Sequence, residues 1–327
     1  RARSQQENPN ADKDDTLMLV AMDEDERIIG FIGLFPGRSH LWTESKRHYV
    51  SCWWKMPGTG SIVSRGLLKE AETISDGKLI FGAITDHTIK IFQKDENYPH
   101  FKRTGVHLRF RSALYLRALF SKRRTGLYQL LFIVFGKTGM MSIYDKLLNI
   151  FLNKKINTLN IQAKDKNPEI YRHEFPTEEM FRYMEKFSKD NYVTIPDKEL
   201  NDWWISSPWL VRPDKENYRG FTKYLFSSHA NQFDNFWLEV KLGGERIGLA
   251  DITVRDGAVK TPFLFYDESH KDAFFAVILR YILFEKKNHS LLSFHEDFSS
   301  YIKGLTDLAG KWVIENRYVV VSRSLVE

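Results

Sequence analysis

The sequence predicts an α+β (mixed α/β) protein of two tandem domains, each a mostly antiparallel mixed sheet flanked by helices. Short apolar runs separated by glycine-rich or acidic turns are typical of antiparallel strands. An order of hairpin strands, a third strand, a helix and a further strand recurs in both halves without similarity of letters, which indicates a tandem duplication that has drifted. The expected bounds are a frayed terminus (1–15), a first domain (16–110), a helical amphipathic connector (111–165) and a second domain (166–327).

The first domain shows the pattern of a small mixed sheet. Three apolar runs suit strands, and an acidic turn joins the first two as a hairpin. The third run ends in a Pro-Gly-Thr-Gly turn, and apolar residues at helical spacing follow for about 12 residues from Ser61. A further strand and a short helix come next. The runs behind these predictions are "TLMLVAM" (16–22), "IIGFIGLF" (28–35), "RHYVSCWW" (47–54), "KLIFGAI" (78–84) and "HTIKIFQK" (87–94).

The second half follows a similar order. A polar stretch at 163–176 has the composition of a linker, and helices are predicted at 177–190 and from 197 to Pro208. Four runs between 221 and 266, with "GGE" and "DGA" as turns, predict antiparallel strands. A strongly apolar helix and two closing strands complete this domain.

Composition and charge narrow the functional classes. The chain has 327 residues, 43% of them hydrophobic, which suits a folded core. Its single cysteine, Cys52, excludes an internal disulfide and a cysteine-rich zinc site, so no metal is expected. A chain without disulfides also predicts a reducing, cytoplasmic location. The net charge of +6 fits either a mildly basic protein or one with an anionic ligand. Without a dense Lys/Arg stripe, no nucleic-acid partner is expected.

Residues 111–156 are both apolar and basic. Their longest uncharged run, Thr125–Gly136, is too short to cross a bilayer. Two amphipathic helices broken around Gly136–Gly139 are therefore predicted. They suit packing between domains, or peripheral contact with an anionic membrane because basic clusters flank both ends.

A turn between the third strand and the helix has the composition of a phosphate-binding site. Helix N-termini carry free N–H groups and a partial positive charge, and glycines let a phosphate approach them. Gly58 and Gly60 precede the helix, Thr59 and Ser61 add hydroxyl groups, and Lys55 adds a cation. The same glycines would also serve a simple strand–helix corner.

The order strand, Lys55-x-x-Gly58-x-Gly60, helix resembles the acyl-CoA site of the GCN5-related N-acetyltransferases, whose pattern is Gln or Arg, two residues, Gly, one residue, Gly or Ala. Downstream, "KLIFGAI" matches that family's next strand and "TDHTIKIFQKDENY" its next helix. The resemblance covers residues 16–110, whereas residues 177–327 share only the order of elements.

The chain departs from that pattern in several places. Thr85 stands where the family usually has Asn, Phe92 where it has the acid Tyr, and Asn97-Tyr98 where it has Gly-Phe. The matching corner of the second half, "YDESHKDA" (266–273), has no Gly-x-Gly and carries three acids, which would repel a pyrophosphate. The resemblance therefore implies that only the first domain binds acetyl-CoA or another acyl-CoA, and that the second is degenerate.

The implied reaction is direct transfer of the acyl group to a primary amine, without an acyl-enzyme. Backbone N–H groups at the end of the third strand would polarise the thioester carbonyl. By strand alternation His48 shares a face with Trp54 and could act as the base, with the half-exposed strand histidine as its structural alternative. Asp86 and His87 follow the next strand as further candidates, although Asp86 also suits a helix cap. Because Phe92 has no ionisable proton, Tyr98 becomes the candidate acid.

Binding residues follow from the same positions. The expected acyl-CoA contacts are Trp53, Trp54, Lys55, Met56, Gly58, Thr59, Gly60 and Ser61, although both tryptophans also suit a core. The loop before the third strand would recognise the acceptor through Arg38, His40, Trp42 and Glu44, or be an ordinary loop.

The sequence thus predicts an acyl-CoA-dependent N-acyltransferase. An amino sugar of a cell-surface glycan pathway is one acceptor that fits. Two alternatives stay open: an aminoacyl-tRNA-dependent cell-wall peptide transferase of related fold, and a non-catalytic membrane- or ligand-binding module. The oligomeric state is left open.

Overall fold

The protein was analysed as a computed structural model. The structure describes residues 7–37, 47–84, 89–93, 95–110, 143, 146–147, 150, 154, 167–187, 198–206, 210–211, 228–230, 232–285, 287–306 and 312–325. The chain forms two compact units: unit 1 comprises residues 1–103, 181–209 and 316–327, and unit 2 comprises 104–180 and 210–315. Unit 1 thus includes two segments from the half of the chain assigned above to the second domain.

The described strands and helices are numbered in chain order. The first part of the chain contains β1 (Met18–Met22), β2 (Ile28–Gly37), β3 (Arg47–Lys55), α1 (Gly60–Ile74), β4 (Leu79–Ile84) and β5 (His100–Arg109). The middle contains β6 (Glu169–His173), α2 (Glu178–Glu185), α3 (Lys198–Ser206), β7 (Leu210–Val211) and β8 (Ser228–His229). The last part contains β9 (Phe233–Leu242), β10 (Glu245–Arg255), β11 (Ala258–Lys260), β12 (Leu264–Tyr266), α4 (Lys271–Phe284), β13 (Ser290–Ser293), α5 (Glu296–Thr306) and β14 (Trp312–Val321).

The sheet of unit 1 is mixed. β1, β2 and β3 form antiparallel pairs, β3 pairs with β4 in parallel, and the end of β14 pairs antiparallel to β4. A parallel pair requires a crossover, which α1 supplies between β3 and β4. Ser322, just after β14, donates to the carbonyl of Leu79 (3.1 Å) and accepts from its N–H (2.9 Å), although 243 residues separate the two.

Helix α1 lies close to the sheet of unit 1. Its buried residues Leu67 and Ala71 share one core cluster with Ile32 of β2. A Cβ at Gly30 would lie 2.7 Å from Val63 Cγ1, so a side chain there would push the helix away. The absence of a side chain at Gly30 therefore sets how close α1 comes to β2.

The strand pairing within unit 2 is also mixed. β6, β9 and β10 form antiparallel pairs, and β10 also pairs with both β11 and β12. β11 pairs with β13 in parallel, and β13 pairs antiparallel to the part of β5 that lies in this unit. Helix α4 has eight buried side chains, and seven of them share a core cluster with strands of this unit and with Phe298 and Ile302 of α5. The mixed α/β class predicted from the sequence is confirmed.

Three elements were not predicted correctly. β5 and α5 were not assigned, and the stretch read as a linker contains strand β6, paired with β9. β6 carries no apolar alternation because four of its five residues are exposed at an edge. In the stretch expected to be frayed, Asn8 is buried, and its Nδ2 donates to Pro36 O at 2.9 Å.

The connector (111–165) lies mostly outside the described residues. The five that are described there are helical and exposed: Ile143, Lys146, Leu147, Ile150 and Lys154. No helix within the described ranges combines the length and the hydrophobicity needed to span a membrane.

Candidate functional site

The corner between β3 and α1 has an unusual backbone. Gly58 has φ 92° and Gly60 has φ 69°, a region that other residues avoid, so this path requires glycine at both positions. A Cβ at either glycine would meet nothing within 4 Å, so the space beside the corner is open. The hydroxyl of Thr59 donates back to Met56 O at 2.7 Å, which fixes the turn.

The first turn of α1 has free capacity for an anion. No side chain caps its N–H groups, and it contains no acidic residue. Ser61 and Ile62 are exposed there, with Ile62 78% exposed. An uncapped helix N-terminus offers N–H donors and a partial positive charge. Lys55 lies at the end of β3 on the other side of the turn.

Strands β3 and β4 separate before they reach this corner. Their described pairing covers only His48–Val50 with Leu79–Phe81, whereas β3 continues to Lys55. Over residues 52–55, therefore, the edge of β3 that faces β4 has no ladder partner among the described strands. Backbone groups at such an edge are available to a ligand.

One extra residue in β3 marks the same place. Gly33 pairs with Cys52 and Leu34 with Val50, so Ser51 is the additional residue of a β-bulge. A Cβ at Gly33 would lie 2.7 Å from both Ser51 Oγ and Cys52 Sγ. Glycine at this position therefore makes room for the bulge.

The bulge corrects the predicted faces of β3. Simple alternation predicted that Trp53 lies on the other face of the strand from His48 and Val50. The extra residue instead brings Trp53 to the same face as Val50, in the core cluster with Ile32. Trp54 lies on the other face and stacks on Phe31, with ring centroids 5.5 Å apart.

The Trp53 indole has an unused donor. Its ring packs beside Phe81 and Phe92, each with centroids 6.0 Å away. Its Nε1 is buried and has no hydrogen-bond partner in the part of the chain that the structure describes. A buried donor without an acceptor costs about 1–3 kcal/mol, which an acceptor atom of a ligand would offset.

His48 is buried rather than half-exposed, at 6% exposure. It pairs with Pro36 and Leu79, and its N–H donates to Lys78 O at 3.0 Å. It therefore lies where β3 and β4 are still paired, about 10 Å along the strand from Ser51. A base role for His48 stays a prediction.

Tyr98 does not face the corner. Its hydroxyl donates to Glu72 in the last turn of α1, and its ring packs on Phe92 and Phe81. Twelve helical residues, about 18 Å, separate Glu72 from Gly60. Burial, together with the Glu72 carboxylate, raises the pKa of Tyr98 well above its ordinary value. This placement favours a structural role over the predicted role as the acid.

The other predicted residues lie outside the described part of the chain. These are the catalytic candidates Asp86 and His87 and the acceptor-loop candidates Arg38, His40, Trp42 and Glu44. The catalytic candidates follow β4 in the chain and the acceptor-loop candidates follow β2. The roles of all six residues stay predictions. Met56, Gly58 and Gly60 are exposed at the corner as expected.

The matching corner of unit 2 carries the opposite charge. Between β12 and α4 it presents Asp267 and Glu268, and Asp272 lies in the first turn of the helix. Lys271 is held by Glu268 at 2.8 Å and by Asp297 at 3.3 Å, so its charge is already compensated. Charge therefore favours an anion at the corner of unit 1 and disfavours one at the corner of unit 2.

No known protein family and no curated protein sequence matches the chain. Among solved structures, it is similar to a GCN5-related glucosamine N-acetyltransferase region in a fungal multi-domain beta-N-acetylglucosaminidase, at 9% identity and a TM-score of 0.48, over 94% of this chain and 33% of that one. It thus spans a third of that protein's length.

Two further solved structures are similar to this chain. One is a tandem GNAT protein from the clavulanic acid biosynthesis pathway (9% identity, TM-score 0.45, covering 94% of this chain and 83% of that one). The other is a GCN5-related N-acetyltransferase from Kribbella flavida (9%, 0.41, 93% and 59%). These structures have the acetyltransferase fold that the motif suggested. With TM-scores below 0.5, the function of this chain must be inferred from its own residues.

Proposed function

We propose that the chain is an acyl-CoA-dependent N-acyltransferase whose unit 1 binds the acyl donor. The observation that carries this proposal is the corner between β3 and α1. It combines two glycines at positive φ, an uncapped helix N-terminus, no acid in the first turn and a neighbouring lysine. That combination suits the pyrophosphate of a CoA molecule.

Each part of the site has a separate task. The first-turn N–H groups and Lys55 hold the pyrophosphate, and Gly58 and Gly60 permit its close approach. When bound, acyl-CoA supplies an acyl thioester. Backbone N–H groups of β3 beyond the bulge would donate to oxygen atoms in the gap between β3 and β4, and Trp53 Nε1 would donate to a ligand atom that reaches it.

The acceptor in this proposal is a primary amine, and an amino sugar is the first class to test. The amine attacks the thioester carbonyl directly, without an acyl-enzyme, so the new C–N bond replaces the C–S bond. A base takes the amine proton, and CoA leaves as a thiolate that takes up that proton. His48, Asp86 and His87 are the candidates because the first lies on β3 and the others follow β4. Acetyl is the proposed acyl group.

Calorimetric titration with acetyl-CoA tests donor binding. A saturable heat is expected for the wild type. Gly60→Asp should weaken binding about a hundredfold because its carboxylate repels the pyrophosphate. Gly60→Asn is the matched control, since it has the same shape, tolerates positive φ and lacks the charge, and should weaken binding far less.

Gly66→Asp controls for net charge, because Gly66 is exposed on the same helix with open space around it. The wild type failing to bind, or Gly60→Asp binding as well as Gly66→Asp, would overturn the proposal.

A peripheral membrane contact is a second proposal. Ile143, Leu147 and Ile150 are 59%, 54% and 59% exposed at i, i+4 and i+7, which places them on one helical face. Lys146 and Lys154 are also helical and exposed, and their charges suit anionic headgroups. Co-sedimentation with phosphatidylserine vesicles should fall for Leu147→Glu. Equal sedimentation of the two proteins would contradict this proposal.

A further inference from the structure

Unit 2 places a carboxyl group opposite an irregularity like that of β3. Thr253 of β10 pairs with Lys260 and Ala250 pairs with Leu264, so two residues of β10 face three on the other side. Asp251 is one of those two, and its N–H donates to Phe263 O at 2.9 Å. The strand made of β11 and β12 therefore has a bulge, and Asp251 lies opposite it.

Asp251 is nearly enclosed, with 6% exposure. Its Oδ1 accepts a hydrogen bond from Asn235 Nδ2 at 2.9 Å. The other hydrogen of that amide group is directed at Thr253 Oγ1, also at 2.9 Å. A carboxylate can accept about four hydrogen bonds, so the described side chains use only part of the capacity of Asp251.

No cation compensates Asp251 among the residues that the structure describes. Burial raises the pKa of its carboxyl to about 7, and the Asn235 hydrogen bond lowers it only in part. A buried carboxylate without a positive partner is costly. Such a group is stable either as a neutral acid or when the positive charge of a ligand pairs with it.

Glu239 shows how the same sheet face treats another buried carboxylate. It lies on β9 opposite Leu249, the neighbour of Asp251 on that face, and is 4% exposed. Arg246 donates to it at 2.6 Å and His173 lies 3.1 Å away. Burial alone would raise the pKa of Glu239, but the hydrogen bond and charge of Arg246 hold it below its ordinary value.

An aromatic wall flanks Asp251. Trp237 is its direct partner on β9 and stacks with Phe265, and Phe265 stacks with Phe263, with centroids 6.2 Å apart in both cases. Trp237 and Phe265 are fully buried, whereas Phe263 and Asn235 are half-buried. An aromatic face beside a carboxylate suits an organic cation, through cation–π attraction and apolar contact.

A metal ion suits the position less well. In the described ranges, no group of three or more His, Cys, Asp or Glu side chains is placed to hold one. Hard cations require several oxygen ligands, whereas an ammonium group needs only one carboxylate and further acceptors.

We propose that unit 2 contains a binding site for a protonated primary amine, in which the Asp251 carboxylate pairs with the ammonium group, Asn235 orients the carboxylate, and Phe263 contacts the body of the ligand. This site does not depend on the acyl-CoA proposal, because its binding is measured with no acyl donor present. It would accept small amines with an apolar or sugar body.

Two pairs of probes test the site at about pH 7.5, where an alkylamine is protonated. n-Butylamine is compared with neutral n-butanol, and glucosamine with neutral N-acetylglucosamine. Binding is followed by calorimetry and by the carboxyl ¹³C shifts of protein labelled at aspartate. Saturable binding of n-butylamine, glucosamine or both, at least tenfold tighter than that of the neutral match, is expected. The amine that binds more tightly shows whether the site prefers an apolar ligand or a sugar.

Variants connect that binding to the residues. Asp251→Asn keeps the shape and should weaken amine binding at least tenfold, whereas Glu245→Gln, which neutralises an exposed acid on the same strand, should not. Phe263→Leu keeps an apolar side chain, loses the ring, and should weaken binding severalfold. Absence of saturation by either amine up to about 50 mM, or equal binding to wild type and Asp251→Asn, would overturn the proposal.

Discussion

Strand β3 of unit 1 and the strand made of β11 and β12 in unit 2 contain the same backbone irregularity, with opposite chemistry beside it. In unit 1 the bulge of β3 faces Gly33, and the helix that follows begins without an acid. In unit 2 the bulge between β11 and β12 faces Asp251, and the helix that follows begins among acids. The comparison teaches that the same backbone irregularity lies near a corner without acids in one unit, and opposite a buried carboxylate without a described cation in the other.

The largest expected effect is a change in stability when Asp251 of unit 2 is replaced. The folded-state pKa of Asp251, about 7, lies above the ordinary 3.8, so ionisation costs stability as pH rises from about 4 to 7. Asp251→Asn removes that cost. Its free energy of unfolding should exceed that of the wild type by about 4 kcal/mol at pH 8, and the advantage should vanish near pH 4.

Urea denaturation between pH 4 and pH 8 measures this difference. Glu245→Gln, on the same strand, is the control and should show no such trend. A constant difference between Asp251→Asn and wild type across the range would mean that Asp251 does not titrate as inferred.

The next effect tests the unit 1 bulge. Gly33→Ala adds a Cβ at 2.7 Å from Ser51 Oγ and Cys52 Sγ, so it should cost about 1–3 kcal/mol of stability. The combination with Ser51→Ala and Cys52→Ala removes both γ atoms and should recover most of that loss. Thermal unfolding of Gly33→Ala, of the Ser51→Ala/Cys52→Ala pair and of the triple variant measures the coupling between the glycine and that pair, and additive losses would contradict the steric account.

A smaller effect concerns the donor of Trp53. Trp53→Phe keeps an aromatic ring but removes a buried N–H that has no partner in the described structure. Acetyl-CoA affinity should fall about tenfold, while stability should stay the same or rise slightly. Loss of stability with unchanged affinity would make Trp53 a core residue only.

The smallest effect compares the lysines of the two corners. Lys55→Met should weaken acetyl-CoA binding about threefold, with a reduced salt dependence, because an exposed charge contributes little. Lys271→Met should leave the affinity unchanged, since Lys271 is bound to Glu268 and Asp297. Equal losses in both variants would indicate that the two corners are not distinguished by charge.

Much of the fold follows from the sequence because apolar spacing records burial. The strands β1 to β4 and helix α1 were predicted from such spacing. β5 was not, because its first half is exposed and charged, and β6 was not, because it is an exposed edge. Both strands are stabilised by pairing with strands far away in the chain, and no local sequence pattern encodes that pairing.

The candidate site was only partly predictable. The glycines and the lysine of the unit 1 corner can be identified in the sequence, and so can the acids of the unit 2 corner. The bulge at Ser51 changes the face of Trp53, and nothing in "YVSCWW" signals an extra residue. Asp251 could have been noticed as the one charge inside an apolar strand run, "IGLADITV", but only the structure shows that no cation of the described residues compensates it.

The hydrogen bonds between Leu79 and Ser322 have a consequence for biosynthesis. Unit 1 requires the end of β14 beside β4, and Ser322, which follows β14, lies 243 residues after Leu79, so the unit cannot be completed until nearly all of the described chain has left the ribosome. During that interval one edge of β4 has no partner, and an unpaired edge invites aggregation. A fragment that stops at residue 311 should therefore be insoluble or need a chaperone, whereas adding residues 312–327 as a separate peptide should restore solubility.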